Sequence, residues 1–235
     1  MDLEDITAAI LAGGLGTRLA PLIPGQQKVV AKVKQRPFLE YILNQLNNTG
    51  FKNAVICTGY LGDQVEKAFG NSYKDISLVY SKEESPLGTA GAIALAIPYL
   101  KSENILITNG DSFIDCDLQS FYEFHLEKVA NASIILREID DTSRYGKVDI
   151  NKNDEIVGFE EKNENGGSGL INGGLYFIKK SFLLEIPKGR PVSFEKELFP
   201  KWITKGLYGF KSKGRFIDIG TPQSYQEAQS FFSSI

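Results

Sequence analysis

Ile6-Thr7-Ala8-Ala9-Ile10-Leu11-Ala12-Gly13-Gly14-Leu15-Gly16-Thr17-Arg18-Leu19 is the stretch on which the reading of this chain turns. Its first half, Ile6–Ala12, is a short apolar run suited to a buried strand that feeds a turn. Its second half puts three glycines in four positions, then an arginine. Glycines so placed let backbone N–H groups approach an anion closely and form a phosphate-cradling nest. Arg18 adds a charge able to grip phosphate in two-pronged fashion. A dinucleotide fingerprint would need glycine where Leu19 sits, and a P-loop would need Gly-Lys-Ser/Thr at positions 17–19. A merely tight turn accounts for the glycines but not for the arginine.

Outward from this loop, the first half of the chain alternates strand and helix. Residues 38, 39, 42, 43 and 46 lie on one helical face within Pro37–Asn48, and Gly50 ends that helix. Strands follow at Ala54–Cys57, Ile76–Tyr80 and Ile105–Thr108, with helices at Gly62–Phe69, Gly88–Leu100 and Leu118–Val129. Strands joined by crossover helices predict a mostly parallel sheet with ligands at the carboxyl ends of the strands. The second half changes character. Strands are expected at Ser133–Ile139, Lys147–Ile150, Ile156–Glu161 and Leu175–Ile178, and Asn163–Gly169 reads as a mobile loop. A helix over Ser193–Thr204, short strands at Leu207–Phe210 and Arg215–Ile217, and a helix over Pro222–Phe232 complete the pattern. No linker or fixed-period repeat interrupts it, so residues 1–235 read as one domain with a nucleotide-binding first half.

The chain has 235 residues, 26 basic and 29 acidic side chains, one histidine and two cysteines. One histidine excludes most zinc sites and any mechanism needing two imidazoles. Cys57 and Cys116 make no disulfide framework. A net charge of −3 gives no general attraction to nucleic acid or anionic membrane, so neither is an expected partner. The acidic start, Met1–Asp5, is unlike a signal peptide, and no apolar run is long enough to span a bilayer. The expected location is cytoplasmic. His125, inside a helix, reads as a structural histidine.

The loop Gly13–Leu19 resembles the signature of the sugar-1-phosphate nucleotidyltransferases. Gln27-Lys28-Val29 stands where that family has Pro-Lys-Pro, keeping the lysine and losing both prolines, which should leave this loop less rigid. Gln35-Arg36-Pro37-Phe38-Leu39-Glu40-Tyr41 is similar to the family's Gly-Lys-Pro-x-Leu-Glu-Tyr. The likeness continues in family order through Leu87–Ala92, Asn109-Gly110-Asp111, Tyr145-Gly146, Glu161-Lys162, Asn172-Gly173-Gly174 and Asp218-Ile219-Gly220-Thr221-Pro222.

The resemblance implies a Rossmann-like (GT-A-like) three-layer α/β/α fold with a mixed, mostly parallel central sheet. It also implies a reaction in which a sugar 1-phosphate attacks the α-phosphorus of a nucleoside triphosphate and pyrophosphate leaves. Positioning, and cancellation of about six negative charges, are then the main requirements. By resemblance, Arg18 and Lys28 are catalytic. Ala12, Gly13, Gly14, Gly16, Thr17, Arg18, Gly59, Gly88, Thr89, Asn109 and Gly110 bind the nucleotide. Tyr145, Gly146, Glu161, Lys162, Asn172 and Gly174 meet the sugar phosphate. Asp111 and Asp218 would hold Mg2+, although 107 positions separate them and only the fold can join them. The partners implied are an NTP and a sugar 1-phosphate, the assembly a monomer or homodimer.

Within the family, the compact length, the Asn109–Phe113 segment and the Gln27-Lys28 pair point to guanylyltransferases of D-glycero-alpha-D-manno-heptose 1-phosphate. Mannose-1-phosphate guanylyltransferases are the alternative. Two other classes remain open. A GT-A glycosyltransferase would use Asp115-Cys116-Asp117 as a metal-binding Asp-x-Asp, although Asp117 also suits the N-cap of the helix from Leu118. An inactive regulatory subunit would be expected to lose one of Arg18, Lys28, Asp111 or Asp218, all of which are present.

Overall fold

The computed structural model describes residues 2–160 and 166–234. The first half contributes β1 (Thr7–Ala12), β2 (Lys32–Val33), β3 (Arg36–Pro37), α1 (Phe38–Asn48), β4 (Asn53–Thr58), α2 (Gly62–Phe69), β5 (Ser72–Tyr73), β6 (Ile76–Lys82), α3 (Gly88–Ala96), β7 (Asn104–Asn109), β8 (Ser112–Ile114) and α4 (Leu118–Glu127). The second half contributes β9 (Ala132–Ile139), β10 (Lys147–Ile150), β11 (Ile156–Glu160), β12 (Gly169–Lys179), α5 (Lys180–Leu183), α6 (Phe199–Trp202), β13 (Leu207–Ser212), β14 (Phe216–Asp218) and α7 (Pro222–Phe231).

Ten strands form one mixed sheet in the order β11-β10-β12-β7-β1-β4-β6-β5, with β9 beside β12 and β13 beside β9. β1 lies parallel between β4 and β7, and β6 continues the parallel set beyond β4. Ala8, Ala9 and Ile10 of β1 are fully buried, as a strand covered on both faces requires. Two apolar cores occupy opposite faces. One gathers Leu39, Ile42, Leu43 and Leu46 of α1 with Val65 of α2 and Phe121 of α4. The other gathers Ala90 and Ile93 of α3 with Phe199 and Trp202 of α6. Helices therefore cover both sides of the sheet, the expected three-layer α/β/α arrangement.

Three of the departures from the sequence reading have an identifiable cause. The α3 helix stops at Ala96 and tightens into a 3-10 turn over Ile97–Tyr99, because Pro98 cannot donate the next helical hydrogen bond. Ser193–Thr204 is no single helix: a π turn over Phe194–Leu198 precedes the short α6, with Pro200 in its first turn. The third is β12, much longer than Leu175–Ile178 because Asn172-Gly173-Gly174 is a bulge within a strand. Its register against β9 shifts between Asn172 and Tyr176, and Gly174 takes φ +75°, which a side chain would resist. Of the expected mobile loop, 163–165 and the pair Glu161-Lys162 lie outside the described residues.

His125 is 1% exposed on α4, its ring nitrogens 2.8 Å from Ser133 Oγ and 3.2 Å from Asn104 Oδ1. Burial, assisted by the Lys179 charge, holds its imidazole down at about 4. An unfolded histidine takes up its proton near 6.5, so acid favours the unfolded chain. Stability is expected to be unaffected by this group above pH 6.5. It should fall between pH 6.5 and 4 with a limiting slope of about 1.4 kcal/mol per pH unit. Denaturant unfolding across that window measures the slope, and a His125→Gln variant should lack it.

Candidate active site

The chain leaves β1 toward β4 while β7 lies on β1's other side, a switch in strand order that opens a crevice at the carboxyl ends. Two cavities meet there. The first, about 310 Å3, is lined by Ala12 at the end of β1, Gly13 and Gly14 after it, Lys28, Glu83, and Gly88 and Thr89 at the start of α3. The second, about 690 Å3, is lined by Arg18, Arg144, Tyr145, Asn172, Gly174 and Asp218, among others. Asn109 and Asp111, at the end of β7, border both.

The wall of the first cavity depends on one close approach. Ala90 N–H and Gly91 N–H donate to Val192 O at 2.9 and 3.2 Å, and Val192 N–H returns a bond to Leu87 O at 2.8 Å. These bonds satisfy amides that a helix start leaves unpaired. A Cβ at Gly88 would sit 2.5 Å from Val192 O, and Gly88 has φ +73°, so only glycine fits.

Lys28 is pinned by more than sequence reading anticipated. Gln27, 2% exposed, donates its side-chain amide to Ala12 O at 2.5 Å and accepts from Val29 N–H at 2.6 Å. Its own backbone N–H donates to Gln64 Oε1 at 2.8 Å. The expectation of a loose loop is thereby corrected: a buried glutamine supplies the stiffness that two prolines would have given. Lys28 Nζ then donates to Asp111 Oδ2, with only 11% of the lysine side chain exposed.

Asp111 and Asp218 are drawn together by antiparallel pairing of β8 with β14. Asp218 stands opposite Ser112, and Ile219 N–H donates to Asp111 O at 2.9 Å. Asp218 accepts from Arg144 at 3.0 Å, Gly220 N–H at 2.7 Å, Ser224 Oγ at 3.2 Å, and the Tyr145 hydroxyl. Burial opposes its ionisation, but the Tyr145 hydroxyl, the Gly220 amide and the Arg144 charge outweigh it and hold the carboxyl below its ordinary range. The same burial, with the Asp218 charge beside it, pushes the Tyr145 phenol well up. Among the described residues no cluster of three or more His, Cys, Asp or Glu side chains is poised around a metal. Two carboxylates suit Mg2+, which takes one or two of them plus substrate phosphates.

Of the remaining residues named from the sequence, Gly16, Thr17, Gly59, Gly110 and Gly146 line neither cavity. Gly59 instead leaves room for the Glu83 carboxylate, and Gly110 for the Leu11 carbonyl. Arg18 lies in the second cavity, its guanidinium near Gly220, rather than in the first. Asp115 and Asp117 border neither cavity, and Asp117 caps α4 by accepting from Gln119 and Ser120 amides at 3.0 and 3.1 Å.

The sequence model of the nucleotidyl transferase family matches residues 7–234. The chain belongs to this family. It is 38% identical to the D-glycero-alpha-D-manno-heptose 1-phosphate guanylyltransferase of Aneurinibacillus thermoaerophilus, across 94% of this chain and 96% of that one. The mannose-1-phosphate guanylyltransferase of Mycobacterium tuberculosis is 32% identical over 96% of this chain, but only 64% of its own length is covered. Among solved structures, HddC from Yersinia pseudotuberculosis, complexed with GMP-PN, superposes with a TM-score of 0.83. That match has 31% identity and covers 97% and 99% of the two chains. A putative glucose-1-phosphate thymidylyltransferase from Bacillus anthracis has a TM-score of 0.86 at 24% identity, covering 98% and 96%, a likeness of fold. This nucleotidyltransferase carries no helix, among the described residues, long and apolar enough to cross a membrane.

The structure also brings forward a residue that sequence reading passed over. Glu83 follows β6 and lines the first cavity, where its Oε2 accepts from Leu87 N–H at 3.1 Å. A Cβ on Gly13 or Gly59 would meet its Oε1 at 2.7 or 2.8 Å. Burial raises its carboxyl above the usual range, with the Leu87 amide opposing. A sequence signal existed, an acidic residue just ahead of Pro86-Leu87-Gly88-Thr89, but its meaning depended on where β6 ends.

Proposed function

We propose that this nucleotidyltransferase moves a guanylyl group from GTP to D-glycero-alpha-D-manno-heptose 1-phosphate, with mannose 1-phosphate the nearest alternative acceptor. The observation that carries the reading is the meeting of two cavities at Asp111, one glycine-walled and one polar. Such an arrangement suits two phosphorylated substrates whose reacting ends must touch.

In this reading the triphosphate lies along Gly13–Gly14 and Lys28, and the sugar phosphate approaches from the side of Arg18, Tyr145 and Asn172. A phosphate monoester loses its second proton near pH 6, so the attacking oxygen arrives as an anion. No side chain need act as base, which agrees with a single, buried histidine. The sugar-phosphate oxygen forms a bond to the α-phosphorus as the bond to the bridging α,β oxygen breaks, and pyrophosphate leaves in line. Lys28 and Arg18 offset charge on the phosphates, an electrostatic contribution that grows in a shielded site. Asp111 and Asp218 would hold Mg2+, which supplies further neutralisation of the phosphate oxygens. Glu161 and Lys162 keep the roles the family likeness implies, as contacts to the sugar phosphate. Residues 1–235 act as one unit, the first half for nucleotide and the second for sugar phosphate.

Glu83 supports guanine as the base. Guanine presents N1–H and a 2-amino group side by side, two donors that one carboxylate accepts together. Adenine, uracil and thymine each set an acceptor on that edge, which a carboxylate repels. Glu83→Gln is therefore expected to lower kcat/KM for GTP about 10-fold and to raise that for UTP or dTTP. The decisive assay is pyrophosphate release from five NTPs crossed with heptose, mannose and glucose 1-phosphates. Wild-type preference for dTTP or UTP would remove the guanylyl assignment. Nucleotide binding without turnover in any pair would favour a regulatory subunit.

A further inference from the structure

A chain of hydrogen bonds links Thr89 in the lining of the first cavity to Asn172 in the lining of the second. Thr89 Oγ1, at the start of α3, donates to Glu195 Oε2 at 2.9 Å. The Tyr176 hydroxyl donates to Glu195 Oε1 at 3.3 Å and accepts from Asn172 Nδ2 at 3.0 Å. Asn172 Oδ1 in turn accepts from Gly174 N–H at 2.8 Å, across the bulge in β12. Ser193 Oγ donates to Glu195 Oε2 at 2.8 Å, and Phe194 N–H donates to Thr89 Oγ1 at 2.9 Å, so the carboxylate is held from its own segment as well.

The chemistry of the central residue gives this chain a direction. A carboxylate only accepts, so the Thr89, Tyr176 and Ser193 hydroxyls must all spend their protons on it. The Tyr176 oxygen is then left as an acceptor, and the Asn172 amide must turn its nitrogen toward it. One amide hydrogen of Asn172 remains for the second cavity, which that residue lines. Tyr176 is fully buried, so no water substitutes for a lost link. At the other end, Thr89 fixes the first turn of α3, whose Gly88, Thr89 and Ala92 wall the first cavity.

We propose that Glu195 is a positioning residue that couples the two cavities, so that a nucleotide against α3 and a sugar on Asn172 each favour the binding of the other. Whichever substrate arrives first orders the shared network, and the second then binds to groups already in place. By linkage the effect is reciprocal. This inference rests on the two-substrate reading above, and names a residue that touches neither substrate in it.

The test uses the full chain with Mg2+ and guanosine 5′-(α,β-methylene)triphosphate, whose α,β bridge cannot break. Calorimetry measures the affinity for heptose or mannose 1-phosphate, whichever the wild type turns over, with and without the analogue. In the wild type the analogue should tighten sugar-phosphate binding about tenfold. In Tyr176→Phe, which keeps the ring, and in Glu195→Gln, the enhancement should fall to within about twofold, while the analogue alone binds as before. Wild-type coupling retained in both variants overturns the proposal, as does its absence from the wild type. Equal loss of both affinities together with a lowered melting temperature would mark Glu195 as a fold residue and also overturn it. A wild type that turns over no pair overturns the two-substrate reading and the coupling with it; turnover with unchanged coupling overturns the coupling alone.

Discussion

Asp111→Ala is expected to lower turnover by about 10³-fold or more at any Mg2+ concentration while the chain still folds. Its carboxylate borders both cavities and pairs with Lys28, so one substitution removes the proposed metal ligand and the partner that steadies the proposed catalytic lysine. Loss of a single preorganised electrostatic group costs about 10²–10³ in rate, and loss of the metal adds to that. Pyrophosphate release across a Mg2+ titration is the measurement. Asp218→Ala should behave alike, because its carboxylate adjoins the same end of β8. Substitution of Asp115 should leave turnover intact, since it borders neither cavity. A metal-dependent loss at Asp115 with little effect at Asp111 would restore the glycosyltransferase alternative.

Lys28→Ala should cost about 10²- to 10³-fold in kcat/KM, roughly 3–4 kcal/mol of transition-state stabilisation. The loss should appear in kcat more than in sugar-phosphate affinity, because Lys28 lines the first cavity and not the second. Gln27→Ala offers a finer probe. It leaves the lysine present but removes the side-chain bonds to Ala12 and Val29, keeping the backbone bond to Gln64, so a partial loss of about tenfold is expected. If Gln27→Ala retained full kcat, the lysine would be held well enough by Asp111 alone.

The elements most legible in the sequence were those whose evidence is local. The helix Gly62–Phe69 has the bounds expected of it, and α1 buries the five apolar positions spaced for one face. The strand after the break at Asn172-Gly173-Gly174 was read too short, because glycines that end a strand and glycines that bulge one look the same in sequence. The bulge persists because β9 pairs with β12 on both sides of it, and β9 lies more than thirty residues earlier. Likewise Ser193–Thr204 carries an apolar helical pattern, yet Val192 just ahead of it and Glu195 within it are bonded to the start of α3. Asp117 was legible as a cap because an N-cap contacts only amides two and three residues ahead.

By itself the sequence determined the parallel half-sheet, the glycine loop after its first strand, the family likeness and the chemistry that dispenses with histidine. Each follows from hydrophobic period, from backbone conformations only glycine adopts freely, or from residue types within a few positions of one another. Tertiary structure alone decided the rest. Pairing of β8 with β14 brings Asp218 beside Asp111, and Gln27 reaches Gln64 across 37 positions to stiffen the lysine segment. Folding of β6 against β4 carries Glu83 to the first cavity, and Glu195 meets Thr89 across 106 positions. Their partners are set by how sheets and helices pack, which no local spacing records.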